Sequence, residues 1–483
     1  MIQAKKSVFS QLCWFMGVYF VLWVGYAAVR LGVPMDSAEA FVWGSEWTFG
    51  TNKHPFLSGW LAQVVLMLVP DPSVATGVLS AGCVCCALFF TYKLAKCFLK
   101  EQSALLASLF LMGTIYYTTS APEYNVNVLG IALLPAFFYV FYLATEQEKW
   151  THWIGVGVLA GLLIITKYTN IVFLASAGLY VLCTSKRRVL MTKGPYVAGL
   201  CFLCVIAPHL WYLPQVYDIV TGYYESRSVP AKGMALVISL GRFLGAQVLA
   251  GLGTLILLGI LAWKQKKLPH FKKCPKYLVF VGVLPLCLFL VLGVCKGAQL
   301  KSMWGYGTLG LLPMIGLSMM QPITQKVFKQ MRTICGILLI VLPLGMVVAD
   351  SVHVSSRQHF DGLKFARELD AVWQRNVATP LLFVGGDVFL ASQIYLYAPD
   401  HPHVVFFMDV EKNPWIDQDA FIQKGALVVT DNLQDYEHYQ TLYPTLMPPD
   451  EKVVVMKNRL GKTKEKTVYI GILFPDDGDS DDQ

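Results

Sequence analysis

Stretches of about twenty apolar residues recur throughout the first 350 positions, and they constrain the fold more than any other feature. A bilayer crossing takes about 20 apolar residues, and only helices or closed barrels satisfy their own backbone in lipid. Eleven spans are expected, near 9–30, 75–97, 102–119, 125–145, 152–166, 168–184, 195–214, 234–262, 277–295, 303–320 and 333–350. The pair 152–166 and 168–184 is short and reads equally as one broken or re-entrant passage. The expected fold class is a polytopic α-helical membrane protein. Hydrophobic residues make up 55% of the 483-residue chain and charged residues only 14%, against roughly 25% charge in a soluble protein. That composition excludes a cytosolic enzyme, a disordered chain and a disulfide scaffold. Lys5 and Lys6 precede the first apolar run as in a signal peptide. The run is too long for one and lacks a small-residue cleavage site, so it reads as an uncleaved span.

Charge divides the chain in two. Of 39 basic residues 27 precede position 351, whereas only 11 of 31 acidic residues do. The polar part, 351–483, is net acidic. Basic loops follow from the positive-inside rule, so nucleic acid is not an expected partner. Placing the N-terminus inside puts 19 loop cations on the inner side, among them Lys93, Lys186, Arg187 and Lys264. Five remain outside: Lys53, Arg227, Lys232, Lys296 and Lys301. Eleven spans then leave the C-terminal part outside. All 12 cysteines fall between Cys13 and Cys335, mostly in apolar runs, where they read as small buried hydrophobes.

The few acids before residue 351 gather on the outer side, where membrane-proximal acids mark functional sites. In the first outer loop, Asp36, Glu39 and Trp43 would share one face of a short helix. Asp36 with Glu39 three residues on is also a capping pattern. Pro55 suits the first turn of a second short helix over 55–69, with Lys53 and His54 just before it, and the free N–H groups of that helix start could meet an anion. The second outer loop reads Pro122-Glu123-Tyr124-Asn125-Val126-Asn127. Lys167 interrupts an apolar stretch and needs solvation or a partner. Arg242 lies near the outer end of its span. His209, on an apolar span, reads as a hydrogen-bonded core histidine.

Asp36, Trp43 and His54-Pro55 in this order resemble the first-loop signature of glycosyltransferase family 39. This is the dolichyl-phosphate-mannose protein mannosyltransferase-like superfamily, which includes bacterial aminoarabinose transferases of lipid A. Pro122-Glu123-Tyr124-Asn125 resembles the second-loop acidic motif of that group. Lys167-Tyr168-Thr169 after Gly155–Gly161, Pro208-His209-x-x-Tyr212 and Arg242-Phe243-x-x-x-Gln247 are similar to further stretches of it. The match runs over roughly 10–320. Phe56 stands where the usual pattern has a second proline, and Thr51 where it has a tyrosine. These departures bear on donor identity more than on fold.

The resemblance implies a C-type glycosyltransferase fold and an inverting transfer of sugar from a polyprenyl-phosphate donor to an extracytoplasmic acceptor. That acceptor could be a glycolipid such as lipid A, a polysaccharide or a protein. The chemistry required fits the residues. A monophosphate leaving group needs positive charge, which Lys53, His54, Lys167 and Arg242 can supply. The acceptor hydroxyl needs a base, for which Asp36 is the first candidate, with Glu123 and Glu39 as further catalytic acids. Trp43, Tyr124, Asn125 and Tyr168 are candidates for the sugar or acceptor pocket, although outer-loop aromatics also suit an interface belt. A monophosphate donor does not demand a divalent metal, and the sequence implies no cofactor.

Residues 351–475 alternate helix and strand patterns. Helices are expected over 362–373 and 388–397, strands over 380–385, 403–407 and 426–430, and a final hairpin from 452–456 and 467–473. Together they predict a small extracytoplasmic α/β domain, which could cover the site or help select the acceptor. Gly385-Gly386-Asp387 reads as a tight turn or a ligand loop. Residues 476–483 read as an acidic disordered tail. Overall the sequence predicts a transmembrane glycosyltransferase domain over 1–350 in a bacterial inner membrane. The alternatives are a carrier or flippase of lipid-linked sugars, which would place polar groups near mid-membrane, and a non-catalytic scaffold.

Overall fold

The computed structural model describes residues 7–147, 149–266, 270, 274–320, 322–354 and 357–476. The chain enters the bundle at α1 (Val8–Ala28), capped by Ser7, whose hydroxyl accepts the Ser10 N–H at 3.0 Å. Two short helices follow, α2 (Met35–Ser45) and α3 (Leu57–Leu68). They cross with their backbones touching. A Cβ on Gly44 would lie 2.2 Å from the Gly59 carbonyl oxygen, so only glycine permits the approach.

Then come α4 (Pro72–Ala95), with Asp71 as cap and Pro at the first turn, and α5 (Glu101–Leu109). They are followed by α6 (Val126–Gln147), α7 (Trp150–Ile164), α8 (Ile171–Leu182) and the 34-residue α9 (Gly194–Arg227). The bundle closes with α10 (Gly233–Ala250), α11 (Leu252–Gln265), α12 (Lys276–Gly282), α13 (Leu284–Lys296), α14 (Leu312–Met319) and α15 (Gln325–Val352). Among the described residues seven helices are long and apolar enough to cross a membrane. The count is eight if α8 and the 3₁₀ segment Ser185–Met191, bent at 98°, form one span. The protein is an integral membrane protein.

Three expected spans are broken. The 102–119 segment is α-helical only to Leu109 and continues as 3₁₀ turns. There the Thr254 hydroxyl takes the Phe110 carbonyl at 2.8 Å, and a Cβ on Gly113 would meet the Thr254 backbone nitrogen at 2.3 Å. The 303–320 segment opens as a 3₁₀ run, Ser302–Leu309, before α14. The 234–262 span is interrupted at Gly251 into α10 and α11. Gly113→Ala should force these backbones apart. A loss of about 1–3 kcal/mol is expected, read as a lower thermal midpoint of the detergent-solubilised protein.

After α15 the chain becomes a small α/β unit. Its elements are α16 (Gly362–Asn376), β1 (Phe383–Gly386), α17 (Val388–Tyr397), β2 (His403–Phe406), α18 (Gln418–Lys424), β3 (Ala426–Thr430), α19 (Leu433–Leu442), β4 (Asp450–Lys457) and β5 (Thr463–Leu473). The sheet order is β2-β1-β3-β5-β4. The first three strands are parallel and β5 and β4 antiparallel. Asp387 accepts the Leu390 N–H at 2.9 Å and so caps α17. Gly385-Gly386-Asp387 is therefore a strand-to-helix turn. Asp417 likewise caps α18. The acidic tail from 477 on lies outside the described residues.

The unit does not stand apart from the bundle. Val33, Ala38, Phe41 and Val42 around α2 share one buried cluster with Phe360, Phe389, Leu390 and Ile394. The Gln393 amide donates to the Val33 carbonyl at 3.2 Å, and His403 meets Glu46 at 3.0 Å. Thus α2 has one face on the α/β unit and another toward the bundle.

Candidate active site

A cavity of about 150 Å³ lies on the bundle side of α2. Asp36, Glu39 and Trp43 all line it, together with Lys53, His54, Asn125 and Lys167. The helical spacing read in the sequence therefore does put the first three on one face. Asp36 is not a helix cap, since that position belongs to Pro34. Its carboxylate accepts the Asn125 side-chain N–H at 3.3 Å, and its backbone N–H donates to Glu123 at 3.3 Å. Asn125 in turn caps α6, its carbonyl oxygen accepting from the backbone N–H of Asn127 and Val128 at 2.9 and 3.2 Å. Asp36 is thus aimed by the start of a long helix.

A second cavity, of about 340 Å³, opens on the other side of Asp36. Glu123, Arg30, Tyr26 and Tyr116 line it, and Asp36, Asn125, Asn127 and Met303 border both spaces. Burial raises the Glu123 carboxyl above its ordinary range, the Asp36 charge adding to the effect.

Lys53 and Glu39 form a buried ion pair. Glu39 is 4% exposed. Burial raises its pKa, with Lys53 acting in the opposite direction. Glu39, expected as a catalytic acid, thus lines the cavity with its carboxylate engaged by the Lys53 ammonium. Lys53 and His54 sit on a turn held by Thr51, whose hydroxyl accepts both backbone N–H groups at 3.2 and 3.0 Å. The departure at 51 thus has a structural role. Phe56, the other departure, packs on Trp60 with ring centroids 4.6 Å apart.

His54 lines the cavity but is not a cation. Burial lowers its pKa well below the usual value, and Lys167, Lys53 and Arg227 add to the shift. A neutral imidazole can exchange hydrogen bonds with a ligand, and its buried Nδ1 has no protein partner among the described residues. The expected free helix start beside it is partly occupied. The Leu57 N–H donates to the Ile165 carbonyl at 3.2 Å.

Lys167 occupies the short link between α7 and α8 and is 4% exposed. Its ammonium donates to Asn127 Oδ1 at 2.7 Å and lies 5.6 Å from the Tyr306 ring centroid. Burial lowers its pKa to about 8, partly offset by Asp36.

Three expected site residues fall elsewhere. Arg242 is exposed on α10 and does not line the cavity, because its helix turns that position outward. Tyr124 is fully buried and donates its hydroxyl to the Ser58 carbonyl at 3.1 Å, which makes it a brace between the α6 start and α3. Tyr168 stands behind the cavity, bonded to His209 Nε2 at 2.8 Å. His209 spends its other ring nitrogen on the Phe49 carbonyl at 2.7 Å, as a core histidine should.

In their place α9 brings Tyr223, Tyr224 and Arg227 to the cavity, and the 3₁₀ run before α14 brings Met303 and Trp304, with Lys301 just ahead of it. Arg227 and Lys301 have no carboxylate partner among the described residues. Both were visible in the sequence as outer-side cations. Their use in one cavity depends on α9 projecting well past the expected end near 214. Among the described residues no cluster of three or more His, Cys, Asp or Glu could hold a metal.

Known proteins resemble this chain in sequence over part of its length and in fold over nearly all of it. Residues 53–212 match the family model of dolichyl-phosphate-mannose-protein mannosyltransferases. This segment includes Lys53, His54, Glu123, Asn125 and Lys167. No curated protein sequence matches the chain. Among solved structures, ArnT from Cupriavidus metallidurans bound to undecaprenyl phosphate superposes with a TM-score of 0.62 at 12% identity, over 95% of this chain and 98% of that one. Its apo form gives 0.58, also at 12% identity, over 95% and 97%. The likeness extends through both the bundle and the α/β unit. The fold is the C-type glycosyltransferase fold expected from the sequence.

Proposed function

We propose that this protein is an integral-membrane glycosyltransferase that moves a sugar from a polyprenyl-phosphate donor to an extracytoplasmic acceptor with inversion. The observation that carries the reading is the position of Asp36 between two cavities. One is rich in cations suited to a phosphate, and the other opens beside Glu123. The mannosyltransferase match and the fold shared with an undecaprenyl-phosphate-bound protein support the choice of donor.

Asp36 takes the proton of the acceptor hydroxyl as its oxygen attacks the anomeric carbon. The bond from that carbon to the phosphate oxygen breaks on the opposite face, and its electron pair stays on the phosphate. Lys167, Arg227 and Lys301 stabilise the developing dianion, and the neutral His54 contributes a hydrogen bond. Lys53 contributes less, because Glu39 already offsets its charge. Glu123 orients the acceptor. The fold shared with a bacterial undecaprenyl-phosphate-bound protein supports a bacterial inner membrane, and the basic-loop asymmetry supports a cytoplasmic N-terminus with the α/β unit in the periplasm.

A carrier would place its polar groups between repeats near mid-membrane. Here they come from helix ends and short links gathered around α2, as a transferase with a lipid-borne donor requires.

The phosphate role has a pH signature. Lys167 must be protonated to hold the donor, and its pKa near 8 places the loss of charge just above neutrality. Donor kcat/KM should fall as pH rises through about 8, since that ratio follows groups of the free enzyme. Lys167→Arg keeps the charge and should move this limb to higher pH. A profile unchanged by the substitution would remove Lys167 from the donor site.

A further inference from the structure

We propose that the donor's sugar is selected through its hydroxyls by Ser58, from α3, and Tyr224, from α9. The site accepts a sugar hydroxylated at the two positions that meet these residues and rejects the corresponding deoxy sugars. The inference rests on the glycosyltransferase reading and names what that site requires of the sugar.

Displacement at the anomeric carbon puts the sugar next to the departing phosphate, and thus in the cavity that Asp36 shares with Lys167, Arg227 and Lys301. Ser58 and Tyr224 line the same cavity and serve neither the proton transfer nor the phosphate charge. Their hydroxyl oxygens are buried and have no hydrogen-bond partner among the described residues. Other hydroxyls around this space are engaged. Ser37 donates to the Tyr124 carbonyl at 3.1 Å, Thr51 to the His54 carbonyl at 2.8 Å, and Tyr168 is bonded to His209.

Both groups are fixed by their surroundings. Ser58 is 1% exposed. Its carbonyl accepts the Tyr124 hydroxyl, and the next residue, Gly59, is pressed against α2, where a Cβ would lie 3.0 Å from the Gly44 nitrogen. Tyr224 packs its ring against Tyr168 and Tyr223, with centroids 6.0 and 5.9 Å apart. Trp43 adds a flat wall whose orientation is set by its Nε1–H, which donates to Asn52 at 3.1 Å. The partner of each hydroxyl must therefore come from what enters the cavity. A buried hydroxyl left unpaired is costly. Water can pair with both in the resting enzyme. A sugar that displaces this water must return hydroxyls of its own, and a deoxy position would leave one protein group unpaired. Polar sites reject substrates that lack a hydroxyl in this way.

The test uses the full-length enzyme in detergent with the lipid and glycan extract of a bacterial envelope as acceptor. A panel of radiolabelled polyprenyl-phosphate sugars first identifies the sugar that is transferred. Its singly deoxygenated analogues, on the same lipid phosphate, are then compared with it. For the wild type, kcat/KM should fall by about tenfold or more for at least two of these analogues. Ser58→Ala should lower kcat/KM for the parent sugar by a similar factor and abolish discrimination against one analogue, and Tyr224→Phe should do the same for another. A merely structural defect would slow parent and analogue alike and leave their ratio untouched. Neither substitution should lower the thermal midpoint, because the hydroxyl removed makes no bond within the protein. Undecaprenyl-phosphate binding, followed by thermal shift, should be unchanged, since this ligand carries no sugar. Wild-type ratios in either variant, a lowered thermal midpoint, or weakened undecaprenyl-phosphate binding would overturn the inference while leaving the transferase reading intact. Failure of the wild type to transfer sugar from any donor would overturn both.

Discussion

Asp36→Asn is expected to lower sugar transfer by about a hundredfold to ten-thousandfold while leaving the protein folded. A positioned general base contributes typically 10²–10⁴, and no neighbouring carboxylate is placed to substitute. Glu39 is held by Lys53. Glu123 accepts the Asp36 backbone N–H and lines only the second cavity, away from the cation-rich space. The fold should survive because an asparagine at 36 still offers an oxygen to the Asn125 N–H, and the backbone bond from residue 36 to Glu123 does not involve its side chain. Turnover at saturating donor and acceptor, compared with gel filtration and thermal midpoint, separates loss of chemistry from loss of fold. Asp36→Glu should recover part of the rate, since it restores a base at shifted reach. A fully active Asp36→Asn would exclude the proposed proton transfer.

Truncation after Val352 is expected to destroy the protein rather than release an active membrane core. The α/β unit covers the outer face of α2. Val33, Ala38, Phe41 and Val42 are each fully buried there, against Phe360, Phe389, Leu390 and Ile394. Exposing a large apolar side chain forfeits on the order of 1.5–3 kcal/mol, and several would be exposed together on the helix that bears Asp36. Phe389→Ala tests the same contact without truncation. A loss of about 3–5 kcal/mol is expected, with turnover falling in parallel as α2 loosens. A truncated chain that purifies as a monodisperse, active enzyme would show that α2 is held by the bundle alone.

Much of the architecture could be read from hydrophobic pattern, and the reasons are local. The edges of α17 follow from a strand, a Gly-Gly turn and an Asp cap, all adjacent in sequence. Asp36, Glu39 and Trp43 fall on one face because helical spacing places them there. What depends on contacts distant in sequence was not legible. The 3₁₀ turns after Leu109 arise because Thr254, far along the chain, takes the Phe110 carbonyl. Arg227 and Lys301 join the cavity only because α9 runs on for 34 residues and the chain before α14 folds back. Arg242 looked equivalent to them as an isolated outer cation, and nothing in its neighbours indicates which way α10 is turned. His54 appeared as a cation beside Lys53. Its neutrality comes from burial among Lys167, Lys53 and Arg227, a tertiary arrangement that single-sequence reasoning does not supply. The family resemblance supplied the order of motifs, and the geometry assigned their neighbours.

The central claim is that the bond between sugar and phosphate is broken in the site at Asp36. A polyprenyl-phosphate sugar carrying ¹⁴C in the sugar and ³²P in the phosphate tests it most directly, with wild-type protein reconstituted in vesicles together with an envelope acceptor extract. The account predicts that ¹⁴C leaves the donor and appears in the acceptor while ³²P remains on the polyprenyl phosphate. Both labels moving together, across the bilayer or onto one product, would contradict it.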